Sequence, residues 1–190
     1  MLLTVAALLV PSASAQPSGD AVPTPIGPGP QYHPGPRGPL LDVGRAPAGL
    51  TCSQTTERRV GAHLELFARG LVVLVPSGVG VGPPLRKAGP KISGACSYPA
   101  RTREPTGVIE SVPTTRVTLG EFFALWGQPL APRRLAGFRA VGVERVRAWV
   151  NGRSWHGDPR SIPLRRHTEI VLELGRFIPP HASYRFEKGL

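Results

Sequence analysis

The chain has 190 residues, a formal net charge of +11, 23 Gly and 23 Pro. That length holds one folded domain with an appendage. No apolar run reaches the about 20 residues that a membrane-spanning helix needs, so no transmembrane segment is expected in the mature chain.

Leu2–Val10 is apolar, Pro11 breaks it, and Ala13-Ser14-Ala15 follows. This is the h-region and A-x-A site of a secretory signal peptide, with cleavage expected after Ala15, although no Lys or Arg precedes the run. Residues 1–15 are therefore expected to be a signal peptide and the protein secreted, in an extracytoplasmic place. Residues 16–50 carry nine prolines, too little apolar surface to offset ordering entropy, and are expected to be a disordered linker. Residues 51–190 are expected to be a single domain. Cys52 and Cys96 fit one disulfide in an exported chain.

In chain order, His63–Ala68 alternates, Leu71–Val75 is a β-branched run, and Arg69-Gly70 between them reads as a hairpin turn. Ser77–Pro84 is rich in glycine, but its spacing and the two prolines deny it the helix of a dinucleotide loop. It is expected to be a flexible loop continuing to Gly94. Gly107–Val112 reads as a strand. Thr118 and Glu121 form a capping box, Val117 and Phe122 its hydrophobic staple, and Gly127 with Pro129 the stop of a short helix. Leu119, Phe122, Phe123, Leu125 and Trp126 make that helix too apolar for a surface position.

Val143–Val150 reads as a strand ending at the turn Asn151-Gly152, Ile162–Leu164 as a short strand, and His167–Leu174 as a clear one. Ala182–Phe186 is expected to be a last strand. The segments L-E-L-F-A-R-G (64–70) and V-R-A-W-V-N-G (146–152) echo each other faintly. The order of elements predicts an α+β fold, a mostly antiparallel sheet wrapping one short buried helix. The arrangement expected for the C-terminal half is β-grasp-like; the alternative is a β-sandwich with one helix.

No nucleophile motif is present, and the bridged cysteines leave none free, so no enzyme activity is expected. The basic residues are 20 Arg and three Lys. Arg101, Arg103, Arg133, Arg134, Arg145 and Arg147 are the candidate anion-binding residues. They form a basic face for an anionic cell-envelope polymer or another envelope protein, with no specific nucleic acid expected. The competing reading is a solvated basic face with no ligand.

The combination A-H-L-E-L-F-A-R-G, V-P-S-G-V-G-V, C-S-Y-P, G-V-I-E, T-L-G-E-F-F-A-L-W-G-Q-P-L and V-N-G resembles a family of exported actinobacterial and archaeal proteins of unknown function. That family carries H-x-H-x-H-L, H-T-H-D and G-x-I-H-x-E motifs that look like a transition-metal site. The resemblance covers about residues 52–190. His63 matches the last histidine of the first motif, with Arg59 and Gly61 at the other two places. Arg101 and Arg103 replace the histidines of the second motif and Glu104 its Asp; Glu110 stands at or next to the histidine of the third. Arginine offers no lone pair to a metal. The resemblance thus implies a His-depleted member. Two functions follow: a non-enzymatic binding module without cofactor, or a weak Zn or Cu site on His63 with Glu104 or Glu110, joined on folding by His156 or His167.

Overall fold

The computed structural model describes residues 29–35, 49–55 and 57–190. The expected signal peptide and most of the expected linker lie outside the described residues. Among these described residues, fifteen strands and one α-helix follow one another. They are β1 Gln31–Tyr32, β2 Val60–Ala68, β3 Leu71–Val73, β4 Val81–Gly82, β5 Arg86–Ala88, β6 Lys91–Ser93, β7 Cys96–Ser97, β8 Ala100–Arg101 and β9 Val108–Ser111. After helix α1, Leu119–Trp126, come β10 Leu130–Ala131, β11 Arg134–Leu135, β12 Phe138–Arg139, β13 Arg147–Val150, β14 Arg153–Trp155 and β15 Glu169–Leu174. The fold is α+β, mostly antiparallel, with no closed barrel.

The main sheet runs β1-β3-β2-β15-β13-β14, with β9 on the other half of β2 and β8 beyond it. Its centre is the parallel pair β2–β15, in which His63 faces Glu169 and Ala68 faces Leu174. Side chains alternate across a strand, so each central strand has two faces. Ala62, Leu64 and Leu66 of β2 join Ile170, Leu172 and Leu174 of β15 and Ala148 of β13 in the core beneath α1. Phe122 and Phe123 are fully or almost fully buried there, and Trp126 stacks tilted against Phe123 with centroids 5.4 Å apart.

The helix has the expected ends. The Thr118 side chain accepts from the Glu121 amide, Glu121 Oε2 accepts from the Thr118 amide at 2.7 Å, and Gly127 sits at φ 71°. Each bond satisfies a backbone group that a helix end leaves orphaned. The turns Arg69-Gly70 and Asn151-Gly152 both place two successive residues at positive φ, the type I′ geometry that matches strand twist. This shared turn is the physical content of the echo between 64–70 and 146–152.

Cys52 and Cys96 are joined by a disulfide. Gly82 packs against both sulfurs, where a Cβ would collide with them. In the chain-entropy account, closing this 44-residue separation stabilises the fold by about 4 kcal/mol.

Four expectations need correction. Gln31–Tyr32, inside the stretch read as linker, pairs in parallel with β3, and Tyr32 packs edge-on against Phe138 at 4.8 Å. The stretch 77–94, read as loop, contains the hairpin β5–β6 and the strand β4, because short strands with Gly and Pro at their ends carry little alternation to read. Ile162–Leu164 contributes only a bridge between Pro163 and Thr118. Ala182–Phe186 forms no strand; its side chains lie over the face of the sheet instead of pairing at an edge.

Candidate functional site

The second face of the central strands carries His63, Glu65 and Phe67 from β2 and Glu169, Val171 and Glu173 from β15. Alternation alone would put these polar side chains in water. Every residue of both strands is nevertheless buried, because residues 176–190 cross over this face. Phe177 meets Trp149, Ile178 packs on the Phe67–Val171 cluster, and Tyr184 and Phe186 stack on His63 and His167. The fit at Gly61 is close: a Cβ there would sit 2.7 Å from the Phe186 ring.

Beneath this cover lies a cluster of His63, Glu65 and Glu169, whose ligand atoms all fall within 4.8 Å of one another. Nδ1 of His63 is 2.8 Å from Glu169 Oε2, and Nε2 is 3.1 Å from the Thr106 carbonyl. A carbonyl only accepts, so Nε2 carries the hydrogen of the neutral ring and Nδ1 presents a lone pair to the cluster. Burial pushes the His63 imidazole down to about 4 and, with the Glu65 charge nearby, pushes the Glu169 carboxyl up to about 9. Both directions follow from the cost of charge in a dry interior. At neutral pH a protonated Glu169 thus donates to a neutral His63.

Glu65 completes the cluster. Its Oε1 is 2.7 Å from Nδ1 of His181, which the covering segment supplies. Its Oε2 is buried and has no hydrogen-bond partner among the described residues. An unsatisfied buried carboxylate oxygen costs roughly 1–3 kcal/mol or more, so this atom can take a further donor or a cation. Comparison with protein-family models, with curated proteins and with solved structures finds no match.

The other residues expected at a metal site are elsewhere. Glu104 pairs with Lys91 at 3.1 Å and Glu110 with Arg101 at 2.7 Å. The register explains this: β9 sets Val108, not Glu110, opposite His63, and sets Glu110 opposite Arg101 of β8. His156 is exposed, and His167 Nε2 lies 2.7 Å from the Leu190 carbonyl. Glu104 and Glu110 instead line a cavity of about 60 Å³ with Arg103, Tyr184 and Glu187. Arg59, read as a lost histidine, is buried to the point that its guanidinium is lowered to about 10 by burial and the charge of Arg101.

The candidate anion-binding arginines divide. Arg101 is held by Glu110, and Arg147 by Glu173 at 3.1 Å. Arg133, Arg134 and Arg145 come together, with Arg139, around one open cleft. Sequence reading missed Glu65 and Glu169 as partners of His63. The one available signal was that two alternating strands, 63–67 and 169–173, both place acids on the face opposite their apolar residues.

Proposed function

We propose that this chain is a non-enzymatic binding module that takes a divalent transition-metal ion on His63 Nδ1 and the carboxylates of Glu65 and Glu169. The observation that carries this reading is the orphaned, buried Oε2 of Glu65 in a cluster whose donor atoms, a histidine nitrogen among them, lie within 4.8 Å of one another. The ring is oriented by a hydrogen bond from its other nitrogen to a backbone carbonyl, as metal-binding histidines usually are. Imidazole and carboxylate donors suit Zn²⁺ or Cu²⁺. A tetrahedron with arms of about 2.0–2.1 Å has edges near 3.4 Å, so small side-chain rotations bring the donors of His63, Glu65 and Glu169, now within 4.8 Å of one another, to three of its corners. The cation would take the place of the Glu169 proton and offset the charge that burial forbids.

The disulfide supports a site of action in an oxidising, extracytoplasmic compartment. Among the described residues, no helix is long and apolar enough to cross a membrane.

Equilibrium dialysis of untagged protein against Zn²⁺ tests the reading. One bound ion per chain, lost or weakened at least about tenfold in Glu65→Gln, is the expected result. Trace binding only, or equal binding by Glu65→Gln, would remove this function from consideration.

A further inference from the structure

The strands β10, β11 and β12 form a small meander in which Arg134 faces Arg139 directly across the ladder. Like charges directly opposite destabilise a strand pair. Arg133 and Arg145 close on the same cleft, whose volume is about 470 Å³. Among the described residues, none of these four arginines forms an ion pair with a carboxylate. The acid in this region, Glu144, is bound by two guanidinium nitrogens of Arg69, at 2.8 and 2.6 Å, and by the Val141 amide. Nε of Arg134 is buried and has no hydrogen-bond partner among the described residues. Arg133 is tied by Nη2 to the Gly142 carbonyl at 2.6 Å, which fixes its guanidinium, and its charge lies near Glu144 without an ion pair to it.

We infer that the Arg133–Arg134–Arg139–Arg145 cleft is a binding site for a chain of phosphate groups, either a free oligophosphate or a phosphodiester polymer. Guanidinium forks match phosphate oxygens two at a time. Four arginines, with only Glu144 near them and that acid already held by Arg69, call for a ligand with several negative charges, and the cleft is larger than one tetrahedral oxyanion fills. The backbone holds the arginines in place before any ligand arrives: Ala140 donates to the Arg133 carbonyl at 3.0 Å and Val146 to the Pro132 carbonyl at 2.8 Å. Leu130 and Leu135 on the other side of the meander are buried in the main core, so the charged side faces outward. The site is independent of the metal reading, since it shares no residue with the His63 cluster.

Calorimetric titration of chelator-treated protein with inorganic tripolyphosphate, and in a parallel arm with poly(glycerol phosphate), tests this. Chelation keeps a metal at His63 from bridging to phosphate. Arg139 and Arg145 are exposed, so Arg139→Gln with Arg145→Gln leaves the packing intact. The double variant should bind at least about tenfold more weakly, the loss expected for charge-assisted hydrogen bonds. A control with Arg86→Gln and Lys87→Gln on the distant hairpin removes the same charge and should bind as the parent does. Binding in the tripolyphosphate arm alone identifies a free oligophosphate, and in both arms a phosphodiester polymer as well. An equal loss in the control, no binding in either arm, or equally tight binding of a dicarboxylate would overturn the proposal.

Discussion

The imidazole of His63 lies flat against the phenol ring of Tyr184, with centroids 3.7 Å apart and planes 16° from parallel. One residue belongs to the central strand of the sheet and the other to the segment that covers it. This stack seals the His63 cluster from water. Tyr184→Ala should therefore let water reach the ring and raise the His63 pKa from about 4 toward the ordinary value of about 6.5. A histidine-resolved NMR titration reads it directly. An unchanged midpoint would show that the stack does not govern the burial of His63.

Glu169 gives the metal-free protein a distinct pH profile. Its carboxyl is raised in the folded state to about 9, so between the unfolded value and 9 the folded state holds a proton that the unfolded state has released. Stability contributed by that proton is lost as pH rises. His63 acts oppositely: lowered to about 4, it makes the fold weaker as pH falls from about 6.5. Between about pH 6.5 and 9 only the Glu169 effect of this pair operates, and stability should fall by on the order of 1 kcal/mol per pH unit. Urea denaturation across this range should show the slope in the parent and its loss in Glu169→Gln.

Metal binding should reverse the pH trend. A cation that displaces the Glu169 proton binds more tightly as pH rises, by about tenfold per unit below pH 9. Titrations in buffers of different ionisation enthalpy should report about one proton released per Zn²⁺ bound at pH 7.5. Zero release would mean that the cation does not use Glu169.

The helix cap is a separate handle on stability. Thr118→Ala removes both the acceptor for the Glu121 amide and the hydroxyl that Glu121 Oε2 accepts from at 2.9 Å. It should cost about 1 kcal/mol, or about 2–4 °C in melting temperature for a chain of this size. A replacement that leaves the melt unchanged would mean that tertiary packing alone holds the helix end.

Removal of the disulfide should cost about 4 kcal/mol if loop closure is its main effect. The double variant Cys52→Ser with Cys96→Ser, compared with the parent by urea denaturation, gives the number. A cost below about 1 kcal/mol would show that the bridge locks in little chain entropy.

Much of this fold could be read from local rules. The capping box at Thr118, the glycine stop at Gly127 and the two turns at 69–70 and 151–152 are each set by a few neighbouring residues, and each stands where expected. Strand pairing is not local. Nothing in the order of residues says that β2 lies beside β15, so Glu169 could not be placed opposite His63. The covering segment deceived in another way. Tyr184 and Phe186 occur at strand spacing, yet Tyr184 stacks on His63, on a sheet face that alternation assigns to solvent, and Phe186 stacks on His167 in the turn before β15. A polar face predicts exposure only while no other part of the chain competes for it. The arginines show the same limit: Arg101 and Arg134 look alike in sequence, and only the fold gives one a carboxylate and the other none.

The parallel pair β2–β15 has a consequence for how the molecule is made. His63 and Glu169 are 106 residues apart, and the middle of the sheet closes only when the last strand arrives. Chains dominated by such distant contacts fold slowly. Until residue 174 has been synthesised, β2 lacks its central neighbour and the core under α1 lacks Ile170, Leu172 and Leu174. The central sheet and the core under α1 therefore assemble late, only after residue 174 has joined the rest of the chain.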